Sequence, residues 1–317
     1  MILRKMAEDM RVPLAHIELL ATTANHRYKI YRIPKRTGGT REISHPSKEL
    51  KSLQRWLALH LFSRLPIHDS VYSYRIGVGI RDHAEIHKRG NYLVRIDLKD
   101  FFPSITSKDV ARLLIENRQK LGQIITATDL KAICWIVCRN GRLTIGAPSS
   151  PVISNAVLYA VDEYWSVTCE QRGITYSRYA DDIYLSTNRP NILAGTYDEM
   201  RKDLENREWP KLQINRRKVV FTSRKHNRNV TGLILTSDRR VSIGHEKKRQ
   251  IRSQVFKFTQ DQLSAEQVSY LRGYLSFAKS VEPSFLTRLR KKFGVSVIHQ
   301  IANTQSIQIK KVKARKQ

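Results

Sequence analysis

The chain has 317 residues, 41% of them hydrophobic, enough to bury a sizeable core and to exclude a disordered tail. Lys and Arg number 57 against 28 Asp and Glu, a formal net charge of +29 that points to a polyanionic partner, most simply nucleic acid. Three cysteines, Cys134, Cys138 and Cys169, fall short of a disulfide framework and of a four-ligand structural zinc site, and read as buried thiols in a reducing cytosol. The N-terminus MILRKMAEDMRV lacks an apolar stretch of signal-peptide length, and no apolar run approaches the roughly 18 residues that span a bilayer. A cytoplasmic protein without membrane contact is therefore expected.

In chain order, SKELKSLQRWLALHLF carries Leu50, Leu53, Leu57 and Leu61 at helical spacing behind Ser47 as N-cap. NYLVRIDL predicts a strand that ends on Asp97. SKDVARLLIENRQKL predicts a helix from Ser107 with Asp109 in its first turn, where the helix dipole favours an acid. PVISNAVLYAVDEYWSVTCEQRG predicts a helix with Ile153, Val157, Val161 and Trp165 on one face, stopping near Gly173. Strands follow at ITYSRY and IYLS, then at KVVFTS and VTGLIL, and AEQVSYLRGYLSFAKSV predicts a further helix with Val268, Leu271, Leu275 and Ala278 aligned. Strands and helices mix without regular alternation, which favours an α+β layout over a doubly wound sheet. Residues 211–317 hold 25 Lys and Arg against 5 Asp and Glu, so +20 of the +29 lies in the last third. An acid-bearing catalytic part followed by a basic, polyanion-gripping part is the expected division.

Between ITYSRY and IYLS stand Ala180, Asp181 and Asp182, a hairpin signature with acids at its tip. An exposed turn would explain them alone, since Asp is a common turn residue. Asp97 changes the balance. It follows Val94 and Ile96 at a core edge, where an unpaired carboxylate is costly. If the two strands are neighbours in one sheet, three carboxylates converge, and hard divalent cations satisfy such a cluster with oxygen ligands. Two Mg²⁺ ions about 4 Å apart serve in-line phosphoryl transfer. With the basic charge, this suggests nucleotidyl transfer on a nucleic acid.

DLKDFFPSI (97–105), IGAPSSPVISN (145–155) and YADD (179–182), in this order and spacing, resemble the palm motifs of reverse transcriptases, and the resemblance runs from about Tyr28 to about Gly294. NHRYKIYRIPKRTGGTREISHPSKELKSLQRWL, DHAEIHKRG (82–90) and VTGLIL (230–235) resemble segments of the retron enzymes. The resemblance implies an α+β right-hand polymerase with fingers, palm and thumb, its antiparallel palm sheet carrying the YADD hairpin. It implies an N-terminal region and fingers at 1–90, a palm at 91–235 with inserted fingers elements at about 110–150, a thumb at 236–300 and a basic tail at 301–317.

By the same resemblance Asp97, Asp181 and Asp182 match a metal-binding triad for two Mg²⁺ ions, with Mn²⁺ as a substitute, and dNTPs are the substrates. Phe102 matches the bulky residue that blocks a nucleotide 2′-OH, with core packing as the alternative. Arg41, in GTREISHP, matches a fingers residue on the incoming triphosphate, with a solvated hairpin charge as the alternative. Lys218, in LQINRRKVVF, matches a lysine that protonates departing pyrophosphate, with a plain phosphate contact as the alternative. Asp100 is not used as a ligand in the family pattern. Two departures stand out. Ile145 replaces a glutamine that touches the incoming nucleotide, and His83 replaces an asparagine while Ala84 and His87 are kept. His83 and His87 stand four apart, and with no third ligand in reach RNA contact or helix capping is expected rather than zinc.

The basic last third then reads as a thumb. Arg216, Arg217, Arg224, Lys225 and Arg228 flank a strand pair, and Lys247, Lys248, Arg249 and Arg252 open a helix. Tyr270 and Tyr274 sit near Arg272, with helix packing expected for at least one of them. The implied partners are a structured non-coding RNA of the msr–msd type, its DNA product and a separate effector protein. The implied reaction is primed from a guanosine 2′-OH, gives branched RNA–DNA (msDNA) and serves antiphage defence. Rival readings are a group II intron-like or diversity-generating reverse transcriptase, or a non-catalytic RNA-binding scaffold of the same fold. The intron type usually adds a maturase domain, for which the residues beyond Gly294 leave no room.

Overall fold

The computed structural model describes residues 1–34, 38–122 and 124–303. Packing divides the chain into two compact units, Met1–Gly79 with Gly90–Thr222, and Ile80–Arg89 with Ser223 onward. Of the basic tail expected at 301–317, residues 301–303 close the helix Val295–Asn303 and the rest lies outside the described residues.

The first unit opens with helices that pack on Lys48–His60, whose N-cap Ser47 accepts a hydrogen bond from the Leu50 amide as expected. Strands β1 (Tyr28–Pro34) and β2 (Thr40–Pro46) form an antiparallel ribbon in which Ile33 pairs with Arg41. The central sheet has the order β4 (Thr175–Tyr179), β5 (Asp182–Thr187), β3 (Tyr92–Asp97), β6 (Val220–Ser223), with β3–β5 and β4–β5 antiparallel. Val94, Ile96, Ile183 and Leu185 are buried in one hydrophobic core with the surrounding helices. The helix Ser107–Glu116 starts where predicted, and Thr106 and Asp109 close a capping box around its first turn. The helix expected from 151 to about 173 is instead two, Ser150–Val157 and Tyr159–Gln171, broken at Leu158 (ψ 2°). Ile153, Val157, Val161 and Trp165 are all buried across that break, so the apolar face is continuous although the axis is not. Apolar periodicity reports the buried side of a segment and is blind to a single non-helical ψ.

In the second unit, β7 (Arg228–Val230), β8 (Leu233–Leu235) and β9 (Val241–Ser242) form a small antiparallel sheet, with Thr231–Gly232 as the β7–β8 turn. The helix Ile80–His87 packs on this sheet, and four more helices follow, His245–Thr259, Ala265–Val281, Pro283–Phe293 and Val295–Asn303.

Two expectations fail in this unit. His83 and His87 lie wholly inside it, rings edge to face with centroids 5.5 Å apart. They occupy, with Ala84, the face the helix turns inward, so RNA contact is not their role. Burial lowers the His83 pKa to about 3 and holds that of His87 well below its ordinary value. Arg228 was expected to flank a strand pair as a phosphate grip. It is buried instead, and donates to the carbonyl oxygens of Leu235 and Thr236. The two tyrosines divide. Tyr270 is exposed, whereas Tyr274 is half-buried beneath Lys247, whose Nζ donates to its hydroxyl at 3.0 Å.

The three cysteines are free, Cys138 and Cys169 buried and Cys134 partly so. Among the described residues no helix is long and apolar enough to cross a membrane.

Candidate active site

The hairpin β4–β5 turns through two residues, Ala180 and Asp181, with Tyr179 paired to Asp182 across its mouth. Two-residue hairpins need a positive φ at their first central position, where glycine is the usual residue. Here Ala180 supplies it (φ 56°), at about 1–2 kcal/mol for an L side chain. The Leu98 amide, one residue past β3, donates to the Asp181 carbonyl at 2.8 Å and ties the turn to the neighbouring strand. The β3–β5 register sets Asp97 directly opposite Asp182. The last residue of β3, the first residue of β5 and the turn residue between thus bring all three sequence-predicted carboxylates to one end of one sheet.

Their electrostatics follow from that crowding. Burial, and then the Asp181 charge, push the Asp182 carboxyl up to about 6, against a partial offset from Arg95, whose Nε stands 4.0 Å away. Burial and the Asp97 charge likewise raise the Asp181 carboxyl above its ordinary value, while Lys218 and Arg41 pull it back. Asp97 is engaged differently. Lys218 Nζ donates to both of its carboxylate oxygens, at 3.0 and 2.8 Å.

Among the described residues no three His, Cys, Asp or Glu side chains stand ready-gathered as a metal site. Asp97 is occupied by an ammonium, which neutralises in place one of the carboxylates a cation would otherwise balance. The donor chemistry fits hard divalent ions. All three groups are carboxylates, and two are held by burial and mutual repulsion above their ordinary pKa, so added positive charge is favoured there.

Asp97 and Asp181 open onto a cleft of about 530 Å³ that Arg41, Phe102 and Lys218 also line. Phe101 and Phe102 both line the cleft, Phe101 buried within the core and Phe102 half-buried and packed against it. Arg41 reaches the cleft from the exposed ribbon β1–β2. Ile145 stands there too, and its carbonyl accepts from the Ser44 amide at 2.9 Å. The next residue, Gly146 (φ 116°), lies so close to β2 that a Cβ would meet the Ser44 carbonyl oxygen at 2.8 Å. Only glycine permits that approach.

Sequence reasoning missed Tyr74, Arg139 and Arg142, which line the same cleft. Arg139 and Arg142 form a tight backbone-paired turn before the GAP segment, and a basic turn carries no distinguishing pattern in a chain this basic.

The family model for reverse transcriptase (RNA-dependent DNA polymerase) matches residues 33–235. The chain is 40% identical over 289 residues to the Retron Ec83 reverse transcriptase of Escherichia coli, covering 89% of this chain and 92% of that protein. It is 33% identical over 277 residues to the Retron Ec73 reverse transcriptase of the same organism, covering 84% and 86%. Among solved structures, apo telomerase from Candida tropicalis matches with a TM-score of 0.52 at 12% identity, over 90% of this chain and 60% of that one. Telomerase from Candida albicans in complex with a TWJ fragment of telomeric RNA matches with a TM-score of 0.51 at 13% identity, over 88% and 61%. The chain spans about three-fifths of those telomerases, and the likeness is one of fold.

Proposed function

The chain belongs to the retron-type reverse transcriptases, RNA-directed DNA polymerases of right-hand fold that depend on divalent metal and dNTPs, and we propose that it makes branched RNA–DNA (msDNA) on its own structured RNA. The observation that carries the site is the register of β3 and β5, which puts Asp97 opposite Asp182 beside a turn that carries Asp181.

Asp97, Asp181 and Asp182 are the residues that would hold two Mg²⁺ ions, with Mn²⁺ able to substitute. Such ions would supply Lewis-acid activation of the attacking hydroxyl and charge neutralisation at the triphosphate. The chain's own side chains do the rest. Arg41 holds the triphosphate from the fingers side. Phe102 fills the space a ribose 2′-OH would need, so dNTPs are admitted and rNTPs refused. The primer hydroxyl gives up its proton to solvent and forms a bond to the α-phosphorus as the bond to pyrophosphate breaks, and Lys218, released from Asp97, gives a proton to the departing pyrophosphate and regains one from solvent. Fingers at 1–90, palm at 91–235 with its insert at about 110–150, and thumb at 236–300 are the proposed division of labour.

The partner is a structured non-coding RNA of the msr–msd type, and the first primer is the 2′-OH of an internal guanosine, which joins RNA to DNA by a 2′,5′ linkage. The exposed basic residues of the last third, Arg224, Lys225 and Arg249 among them, support a grip through backbone phosphates. Work in the cytoplasm, in antiphage defence beside a separate effector protein, completes the proposal. The test is to express the native locus, extract the nucleic acid bound to the purified protein and compare its mobility before and after debranching enzyme. A branched product that debranching shortens is expected. A DNA with a free 5′ end, or one made equally well on unrelated RNA, overturns the msDNA reading.

A further inference from the structure

Behind the acid turn lies a closed ring of buried polar groups that the chemistry above does not use. Arg178, two residues before Ala180, is fully buried and forks onto the equally buried Asp162, with Nε at 2.8 Å and Nη2 at 2.7 Å from its carboxylate oxygens. The Tyr176 hydroxyl donates to the same carboxylate at 2.8 Å. The remaining guanidinium nitrogen, Nη1, donates to Asn155 Oδ1 at 3.1 Å and to the Ala180 carbonyl at 3.2 Å. Asn155 Nδ2 donates to the Ser73 carbonyl at 3.0 Å, and the Ser73 hydroxyl accepts from the Ala180 amide at 2.8 Å.

The ring therefore ends on both backbone polar groups of one residue, and that residue is the left-handed alanine next to the acids. A buried ion pair is not a device for stability, since apolar side chains of similar volume commonly serve a core as well or better. Its value here is directional. Two side chains, Ser73 and Arg178, hold the amide and the carbonyl of Ala180, and Asn155 and Asp162, from two helices, fix those two in turn.

We propose that Ser73, Asn155, Asp162 and Arg178 form a brace that holds Ala180 in the left-handed conformation and so sets how closely Asp181 and Asp182 approach Asp97, tuning the site's affinity for divalent metal. These are positioning residues. They act through the turn and touch neither substrate nor metal. The proposal rests on the assignment of the three carboxylates as the metal-holding set.

The experiment uses the full chain bound to a DNA primer on an RNA template, with Mn²⁺ binding followed by electron paramagnetic resonance and thermal unfolding followed in parallel. Ser73→Ala removes one hydrogen bond to Ala180. It is expected to weaken Mn²⁺ binding by about fivefold or more while the KM for dNTP changes less. The companion background is Ala180→Gly, since glycine takes a positive φ unaided. There the same Ser73→Ala change is expected to leave Mn²⁺ affinity nearly unmoved, even if the unfolding temperature falls by as much as before. Mn²⁺ affinity that is unchanged by Ser73→Ala, or lost equally in both backgrounds, overturns the brace. A Mn²⁺ signal that Asp181→Asn removes from the complex keeps the carboxylate assignment in place under either of those results. A wild-type complex that binds no Mn²⁺ overturns the carboxylate assignment, and the brace with it.

Discussion

Two pairs of ionisable residues in this chain look alike on paper, and the fold treats them in opposite ways. Asp181 and Asp182 are the last turn residue and the first strand residue of a hairpin in the first unit, and His83 and His87 stand one helical turn apart in the second. Both have ligand-type side chains at ligand-type spacing. The histidines lie on the inward face of a helix, so packing absorbs them and burial keeps them neutral. The aspartates lie at the mouth of the β4–β5 hairpin, where Asp181 lines a cleft with Asp97, Asp182 stands opposite Asp97 in the sheet, and burial works against both charges. Spacing alone does not separate a site from a core. The face of the element does.

The comparison breaks most visibly by mutation of its acidic half. Asp181→Asn should lower DNA synthesis by about 10³-fold or more, since metal ligation needs the charge. RNA binding should be retained and the unfolding temperature should not fall, because a crowded charge is removed rather than a packing contact. Primer extension with Mg²⁺ and filter binding at matched salt measure both.

The basic half should answer in the opposite currency. His87→Ala should cost about 2 kcal/mol or more of stability through the cavity it leaves, with synthesis per folded molecule unchanged. The wild-type histidines also set a pH dependence. Their folded pKa values lie below the unfolded value of 6.5, so the stability they confer is fully present above pH 6.5 and is lost as pH falls below it, for His83 down to about 3. Chemical denaturation at stepped pH should show that loss, and His87→Ala should flatten it.

A smaller effect sharpens the account of the cleft wall. Phe102→Ala should raise incorporation of rNTPs relative to dNTPs by about 10- to 100-fold, with dNTP incorporation retained. The buried neighbour Phe101 should cost more stability, since Phe101→Ala empties core volume.

Much of this was readable in the chain itself. Short-range signals carried the strand ending at Asp97, the hairpin at YADD and the Ser47 cap, because period-two alternation, turn residues and caps act over a few residues. The convergence of the acids was readable only as a condition on strand adjacency, and the β3–β5 register meets it. The illegible parts are those that long-range packing decides. Nothing local marks Arg178 as a buried partner of Asp162 on another element, or Arg228 as interior in a segment full of exposed basic residues. The break at Leu158 is equally silent, since one ψ angle leaves the apolar face intact.

The central claim is that the three carboxylates at the end of β3 and β5 are the site of DNA synthesis. Single-turnover extension of a DNA primer on an RNA template by wild-type protein and Asp182→Asn, at equal occupancy of primer–template and over a Mg²⁺ series, tests it most directly. The account predicts metal-dependent extension by the wild type and none above background by the variant at any Mg²⁺ concentration, with primer–template affinity unchanged. Extension by Asp182→Asn at a rate within tenfold of wild type would contradict it.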